Sequence, residues 1–136
     1  MYYNSKGLAL DRSATKNNYQ IEENTILDAI DCYNKAIELN PKVSNIYLNK
    51  GNSLFKRKKY VEALSCYDRG IQLNANNSAL YFNKGLALIN IDGYGYQAAI
   101  SYYNKAIQFD ASNLEIYKHK GYALYKMKKY EDAIMY

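Results

Sequence analysis

Residues 47–54 read Tyr-Leu-Asn-Lys-Gly-Asn-Ser-Leu, and residues 63–71 read Ala-Leu-Ser-Cys-Tyr-Asp-Arg-Gly-Ile. Neither stretch stands alone. The first pattern, Tyr-x-x-Lys-Gly-x-small-Leu, returns at 3–10, 81–88 and 117–124. The second, Ala-Ile/Leu-x-x-Tyr-x-Lys/Arg-Ala/Gly-Ile, returns at 29–37 and 99–107 and begins again at Ala133. Self-similarity at a fixed period marks a chain built by stacking one supersecondary unit. Ala29, Ala63, Ala99 and Ala133 are separated by 34, 36 and 34 residues. Gly51 precedes Ala63 by 12 residues, as Gly121 precedes Ala133; Gly85 precedes Ala99 by 14, and Gly7 precedes Ala29 by 22. The unit is therefore 34 residues, and all extra length falls between the two patterns, which predicts a turn there. One domain over 1–136 results, with repeats at 1–43 (an insertion near 11–24), 44–77, 78–113 and an incomplete 114–136.

Both patterns have helical period. Tyr47, Gly51 and Leu54 recur at three-to-four spacing, as do Ala63, Tyr67, Gly70 and Ile71. Each copy is then two helices of about 13 residues, too short to persist without packing. Thr25 with Asp28 resembles a capping box and predicts a helix start there. Asn40-Pro41 closes one second helix and the Asn-rich residues 74–77 close the next. Gly7, Gly51, Gly85 and Gly121 fall inside helices, where each costs about 1 kcal/mol relative to Ala. Four equivalent placements imply a steric demand, with Ala29, Ala63, Ala99 and Ala133 as the expected other side of a small-residue seam. The fold class is all-α, a solenoid of antiparallel helix hairpins.

These residues resemble the tetratricopeptide repeat, whose 34-residue signature runs aromatic, Leu-Gly, Tyr, Ala, Phe/Tyr, Ala, Pro. Tyr3, Tyr47, Tyr81 and Tyr117 stand for the signature Trp, and Lys precedes the Gly where Leu is usual. Leu10, Leu54, Leu88 and Leu124 take the following Tyr slot, and Pro41 occurs once, with Ala75 and Ala111 elsewhere. The match leaves out only residues 11–24. The resemblance implies a superhelix whose first helices line a concave groove for a peptide or helix of a partner protein. On this chain the groove-facing slots are Leu48, Asn49, Asn52 and Phe55, then Phe82, Asn83, Leu86 and Ile89, then Lys118, His119, Tyr122 and Tyr125. Several are large apolar groups that a hairpin core does not need, as expected of an interaction surface. Relatives that hold acidic chaperone tails need Lys and Asn on one first helix, Asn on the next, and Lys plus Arg on the third. Leu48, Asn52, Asn83, Glu115 and His119 occupy those slots, so both amides match and all three cations are missing. The expected guest is instead an apolar or amphipathic segment whose backbone the Asn side chains bond.

Chemistry other than binding finds little footing. His119 is the only histidine, and no Ser or Cys sits in a nucleophile motif. Cys32 and Cys66 occupy one slot in neighbouring repeats, about 10 Å apart in stacked helices, too far for a disulfide. Two cysteines and one histidine do not make a zinc site. The reading is a non-enzyme without cofactor or metal. Net charge is +5, mildly favouring acidic partners. The basic runs 56–59 and 126–129 fall in expected turns, and Asn90-Ile91-Asp92-Gly93 interrupts them, which argues against a nucleic-acid track. No apolar stretch approaches the ~20 residues of a membrane span, and no signal pattern opens the chain, so a cytoplasmic protein is expected. Repeat arrays need capping elements, and both ends are abrupt. A fragment of a longer array, or a homo-oligomer formed through an uncapped end or swapped helices, is the alternative expectation.

Overall fold

The computed structural model describes the backbone of residues 2–93 and 95–135, with side chains placed for 17–93 and 95–132. The described residues form six helices and no strand: α1 (Tyr2–Leu39), α2 (Ser44–Lys56), α3 (Tyr60–Leu73), α4 (Ser78–Ile91), α5 (Tyr96–Phe109) and α6 (Leu114–Met135). Helices α2 and α3 make one hairpin and α4 and α5 the next, with α1 packed on α2, α3 on α4, and α5 on α6. This is the expected helical solenoid, each unit touching its neighbours.

The links between repeats share one device. Asn40 Oδ1 accepts the Lys42 amide at 3.1 Å, Asn74 Oδ1 accepts that of Asn76 at 3.1 Å, and Asp110 Oδ1 that of Ser112 at 3.2 Å. A short polar side chain thus holds each turn by bonding the backbone two residues on. The following helix then clips the turn: Tyr47, Tyr81 and Tyr117 donate their hydroxyls to the carbonyls of Pro41, Ala75 and Ala111 at 2.8, 2.7 and 3.0 Å. The repeated tyrosine therefore packs its ring and satisfies a turn carbonyl at once.

Two apolar clusters fill the stack. One joins Ile30, Leu54, Ala63, Cys66, Tyr67, Leu80 and Ala87; the other joins Tyr81, Tyr96, Ala99, Tyr103, Ala106, Ile116 and Ala123. The glycine seam exists at Gly51 and Gly85, with a different partner from the one expected. A Cβ on Gly51 would lie 2.5 Å from Tyr67 Cε1, and one on Gly85 would lie 2.6 Å from Tyr103 Cε1. The glycines make room for a tyrosine ring four residues beyond the alanine, and Ala99 contributes only its carbonyl, 3.2 Å from the Gly85 position. Gly7 and Ala133 lie outside the residues whose side chains are described.

Both outer units depart from the hairpin pattern. The turn expected between the two patterns of the first copy does not form, because α1 is a single helix of 38 residues. No Gly or Pro occurs between Leu8 and Asn40, so nothing in that stretch stops a helix. Thr25 is correspondingly no cap: its Oγ1 donates to the Ile21 carbonyl at 2.7 Å from within the helix. Likewise α6 runs unbroken for 22 residues, which places Lys126, Lys128 and Lys129 on a helix and not in a turn. Gly121 has nothing within 4 Å of its Cβ position, so the seam is absent there. Cys32 is exposed and Cys66 buried, both as free thiols, and burial pushes the Cys66 thiol above its ordinary range. No helix among the described residues is long and apolar enough to cross a membrane.

Candidate functional site

The first helices α2 and α4 stand side by side, with α3 behind them. Between them lies a cavity of about 300 Å³ lined by Asn52, Phe55 and Lys56 of α2, Asn83 and Leu86 of α4, and Tyr67 of α3. Asn52 follows Gly51, so the close approach of Tyr67 to that glycine also brings the phenol to the amide. Tyr67 donates its hydroxyl to Asn52 Oδ1 at 2.8 Å, and Asn83 Nδ2 donates to the same oxygen at 2.8 Å. With Oδ1 doubly bonded, the Asn52 amide is held in one orientation. The Asn52 NH2 group and the Asn83 carbonyl oxygen remain as a donor and an acceptor without protein partners among the described residues.

Apolar groups flank this polar floor. Phe55 meets Tyr60 edge-on with ring centroids 5.0 Å apart. Phe82 packs on Tyr103 at 5.6 Å and meets His119 of α6 edge-on at 5.2 Å. His119 Nδ1 lies 2.8 Å from the Glu115 carbonyl, which can only accept, so Nδ1 carries a hydrogen and Nε2 is left as an acceptor in the neutral ring. Lys84 reaches from α4 to Asp68 of α3 at 2.6 Å, with its Nζ 4.4 Å from the Tyr102 ring centre of α5. Burial alone would lower the Lys84 pKa, but the bonds to Asp68 and Tyr102 outweigh it and hold it above the usual lysine range.

The twelve groove positions read from the sequence lie in different surroundings. Asn52, Phe55, Asn83 and Leu86 line the cavity together. Phe82 and His119 touch each other beyond it. Leu48 and Ile89 are half-buried against the two apolar clusters, and Asn49 is exposed. Lys118 is exposed and paired with Glu115 at 3.4 Å. Tyr122 lies against Tyr96, 6.4 Å between centroids, and Tyr125 is exposed. Two cavity residues escaped the sequence reading. Lys56, expected in the turn, ends α2 four residues beyond Asn52, and Tyr67, expected only as a packing residue of the second pattern, reaches the cavity from α3. Among the described residues, no three His, Cys, Asp or Glu side chains gather as a metal site would require.

Residues 20–43 and 44–77 each match a tetratricopeptide repeat family model. No curated protein sequence matches the chain. Among solved structures, the chain is similar to the first tetratricopeptide domain of Spaghetti (RPAP3) bound to an HSP90 peptide, SRMEEVD. The identity is 21%, over 84% of this chain and 89% of that one, with a TM-score of 0.73. The Sgt2 domain from Aspergillus fumigatus is 16% identical, over 90% of this chain and 81% of that one, with a TM-score of 0.74. The second RPAP3 domain, human and in complex with an HSP70 peptide, is 18% identical over 81% and 90%, with a TM-score of 0.68. Residues 20–77 thus carry tetratricopeptide repeats, and the described residues as a whole have the fold of the tetratricopeptide domains.

Proposed function

We propose that this chain is a protein-interaction module that holds an extended segment of a partner protein across α2, α4 and α6. The carrying observation is the locked Asn52–Asn83 pair at the floor of the cavity. An unused amide donor beside an unused amide acceptor suits one peptide unit of an extended backbone, which offers both groups. Leu86 and Phe55 beside it offer apolar surface to a side chain of the guest. The fold likeness to domains that hold HSP90 and HSP70 peptides supports a peptide as the ligand class.

The guest differs from those tails in charge. Leu48, Glu115 and His119 occupy the slots where a carboxylate clamp needs cations, and Glu115 is already paired with Lys118. Lys56 is the one lysine lining the cavity. An internal apolar segment therefore fits better than an acidic chain end.

Panning a displayed library of random peptides against the chain tests this. Recovered peptides should lose about tenfold or more in affinity to Asn83→Ala and to Leu86→Glu, one removing a bond partner and the other placing a charge on the apolar wall. The SRMEEVD peptide should show no measurable binding in the same titration. Peptides that bind both variants as well as the wild type, with circular dichroism unchanged, would remove the groove from consideration.

A further inference from the structure

Lys56 lines two cavities. One is the groove floor, where it stands with Asn52, Asn83 and Leu86; the other, of about 540 Å³, lies between α1 and the turn that joins α2 to α3. Tyr19 and Ile26 of α1 give the second cavity an apolar side, and Lys56, Arg57 and Lys58 give it a basic one. Glu22 and Glu23 line it as well, and Glu23 Oε1 meets Arg57 Nη2 at 3.4 Å. Three cations and two carboxylates leave one positive charge uncompensated. Two features of this turn are unfavourable in the chain by itself. Arg57 Nε is buried with no acceptor among the described residues, which is destabilising for a donor. Lys58 stands at φ 60°, where glycine would be unstrained. Lysine puts a cation on the cavity wall that glycine could not, and backbone strain of this kind gathers at ligand sites. The one contact to Glu23 is long and uses Nη2 alone, so the guanidinium fork is open to a second carboxylate. The Arg57 side chain is 27% exposed, and a rotation within it suffices to turn Nε toward such a group.

We infer that the second cavity continues the peptide groove and takes an acidic side chain of the same guest, Asp or Glu, held by Arg57 and Lys58. Lys56 stands between the two subsites. The inference rests on the groove reading above and adds a charged flank to the apolar segment. Asn52 and Arg57 are five residues apart. That is about 8 Å along α2, and crossing the helix adds a diameter of about 10 Å, so the two subsites are about 13 Å apart. An extended chain rises about 3.3 Å per residue, so the acid stands about four residues from the peptide unit that Asn52 and Asn83 bond. The three cations at this end and Glu115 on α6 also orient the guest, with its acid toward α1.

Calorimetric titration of peptides panned on the full chain tests the inference, with their ends acetylated and amidated so that every carboxylate is a side chain. Peptides that lose affinity to Asn83→Ala should carry Asp or Glu about four residues from their apolar anchor. Changing that acid to Asn or Gln should weaken binding to the wild type about tenfold, the effect of losing a charge-assisted bond. The same change should make no difference to binding by Arg57→Gln. Lys58→Gly should remain folded and bind the acidic peptides severalfold more weakly, whereas Glu22→Gln with Glu23→Gln should bind them severalfold more tightly. Peptides that need Asn83 but bind equally well without the acid, or equally well to Arg57→Gln, overturn the inference and leave the groove reading standing. Acid-dependent binding that ignores Asn83→Ala overturns it too, since the second cavity then acts apart from the groove. If no recovered peptide depends on Asn83, the groove reading fails and this inference fails with it.

Discussion

Tyr67 and Tyr103 fill the same slot in successive repeats, and their hydroxyls meet opposite fates. Tyr67 donates to Asn52, the residue after Gly51, whereas the residue after Gly85 is Leu86 and the buried Tyr103 hydroxyl has no partner among the described residues. Burial pushes the Tyr103 hydroxyl up to about 12 and raises that of Tyr67 also, so both stay neutral near physiological pH. A net hydrogen bond contributes about 1 kcal/mol, and an orphaned buried polar group costs about 1–3 kcal/mol. Tyr67→Phe should therefore destabilise by about 1 kcal/mol, and Tyr103→Phe should leave stability unchanged or raise it by about 1 kcal/mol. Urea denaturation of the two variants checks the contrast; equal losses would contradict it. Gly51→Ala belongs to the same scale. Its Cβ would overlap Tyr67 Cε1 at 2.5 Å, inside a packed cluster. The overpacking cost of about 1–3 kcal/mol should outweigh the helix gain of about 1 kcal/mol, lowering the urea midpoint.

Among the elements, the link from α2 to α3 shows how a turn is made where no glycine stands. Lys58 adopts a left-handed conformation with φ of 60°, the only non-glycine to do so among the described residues. The Lys58 amide bonds the Phe55 carbonyl and the Lys59 amide bonds the Leu54 carbonyl, both at 2.9 Å, which is a Schellman closure. A side chain in that conformation costs about 1–2 kcal/mol, which glycine avoids. Lys58→Gly should raise stability by up to about 1 kcal/mol and leave the structure unchanged. A fall in thermal midpoint would mean that the lysine makes a contact outweighing its strain. The same local sequence, Lys-x-Lys-Lys-Tyr, recurs at 126–130 and stays helical. After Lys59 a helix follows whose Ala63, Cys66, Tyr67 and Gly70 are all buried, and that burial offsets the strained turn. At 126–130 the helix continues, through to Met135.

At the scale of the whole molecule, the packing of the described helices is a chain of neighbour contacts, and stability is a sum of those contacts. Helices α3, α4 and α5 each bury at least four residues between two neighbours. Residues 17–25 of α1 are all exposed. Amide hydrogen exchange should therefore be slowest in α3–α5 and at least about a hundredfold faster in residues 17–25, in line with the spread between local and global opening. Uniform protection along α1 would contradict this.

Much of this architecture was legible before any coordinates, since the period of 34 and the helical spacing within each pattern locate α2–α5 closely. The reason is that local periodicity, turn chemistry and the steric need for Gly51 and Gly85 all act within one or two adjacent units. The candidate site was legible in part: Asn52, Asn83, Phe55 and Leu86 are among the groove slots that the resemblance to the tetratricopeptide repeat implies, while Lys56 and the hydroxyl of Tyr67 are not. What tertiary packing alone decided is where a turn forms. Extra residues between the patterns looked like a turn at 11–24, and the run 126–129 looked like the turn at 56–59, yet both stretches are helix. Breaking a helix costs backbone bonds and, at Lys58, a strained φ, and only a neighbour with surface to bury offsets that cost.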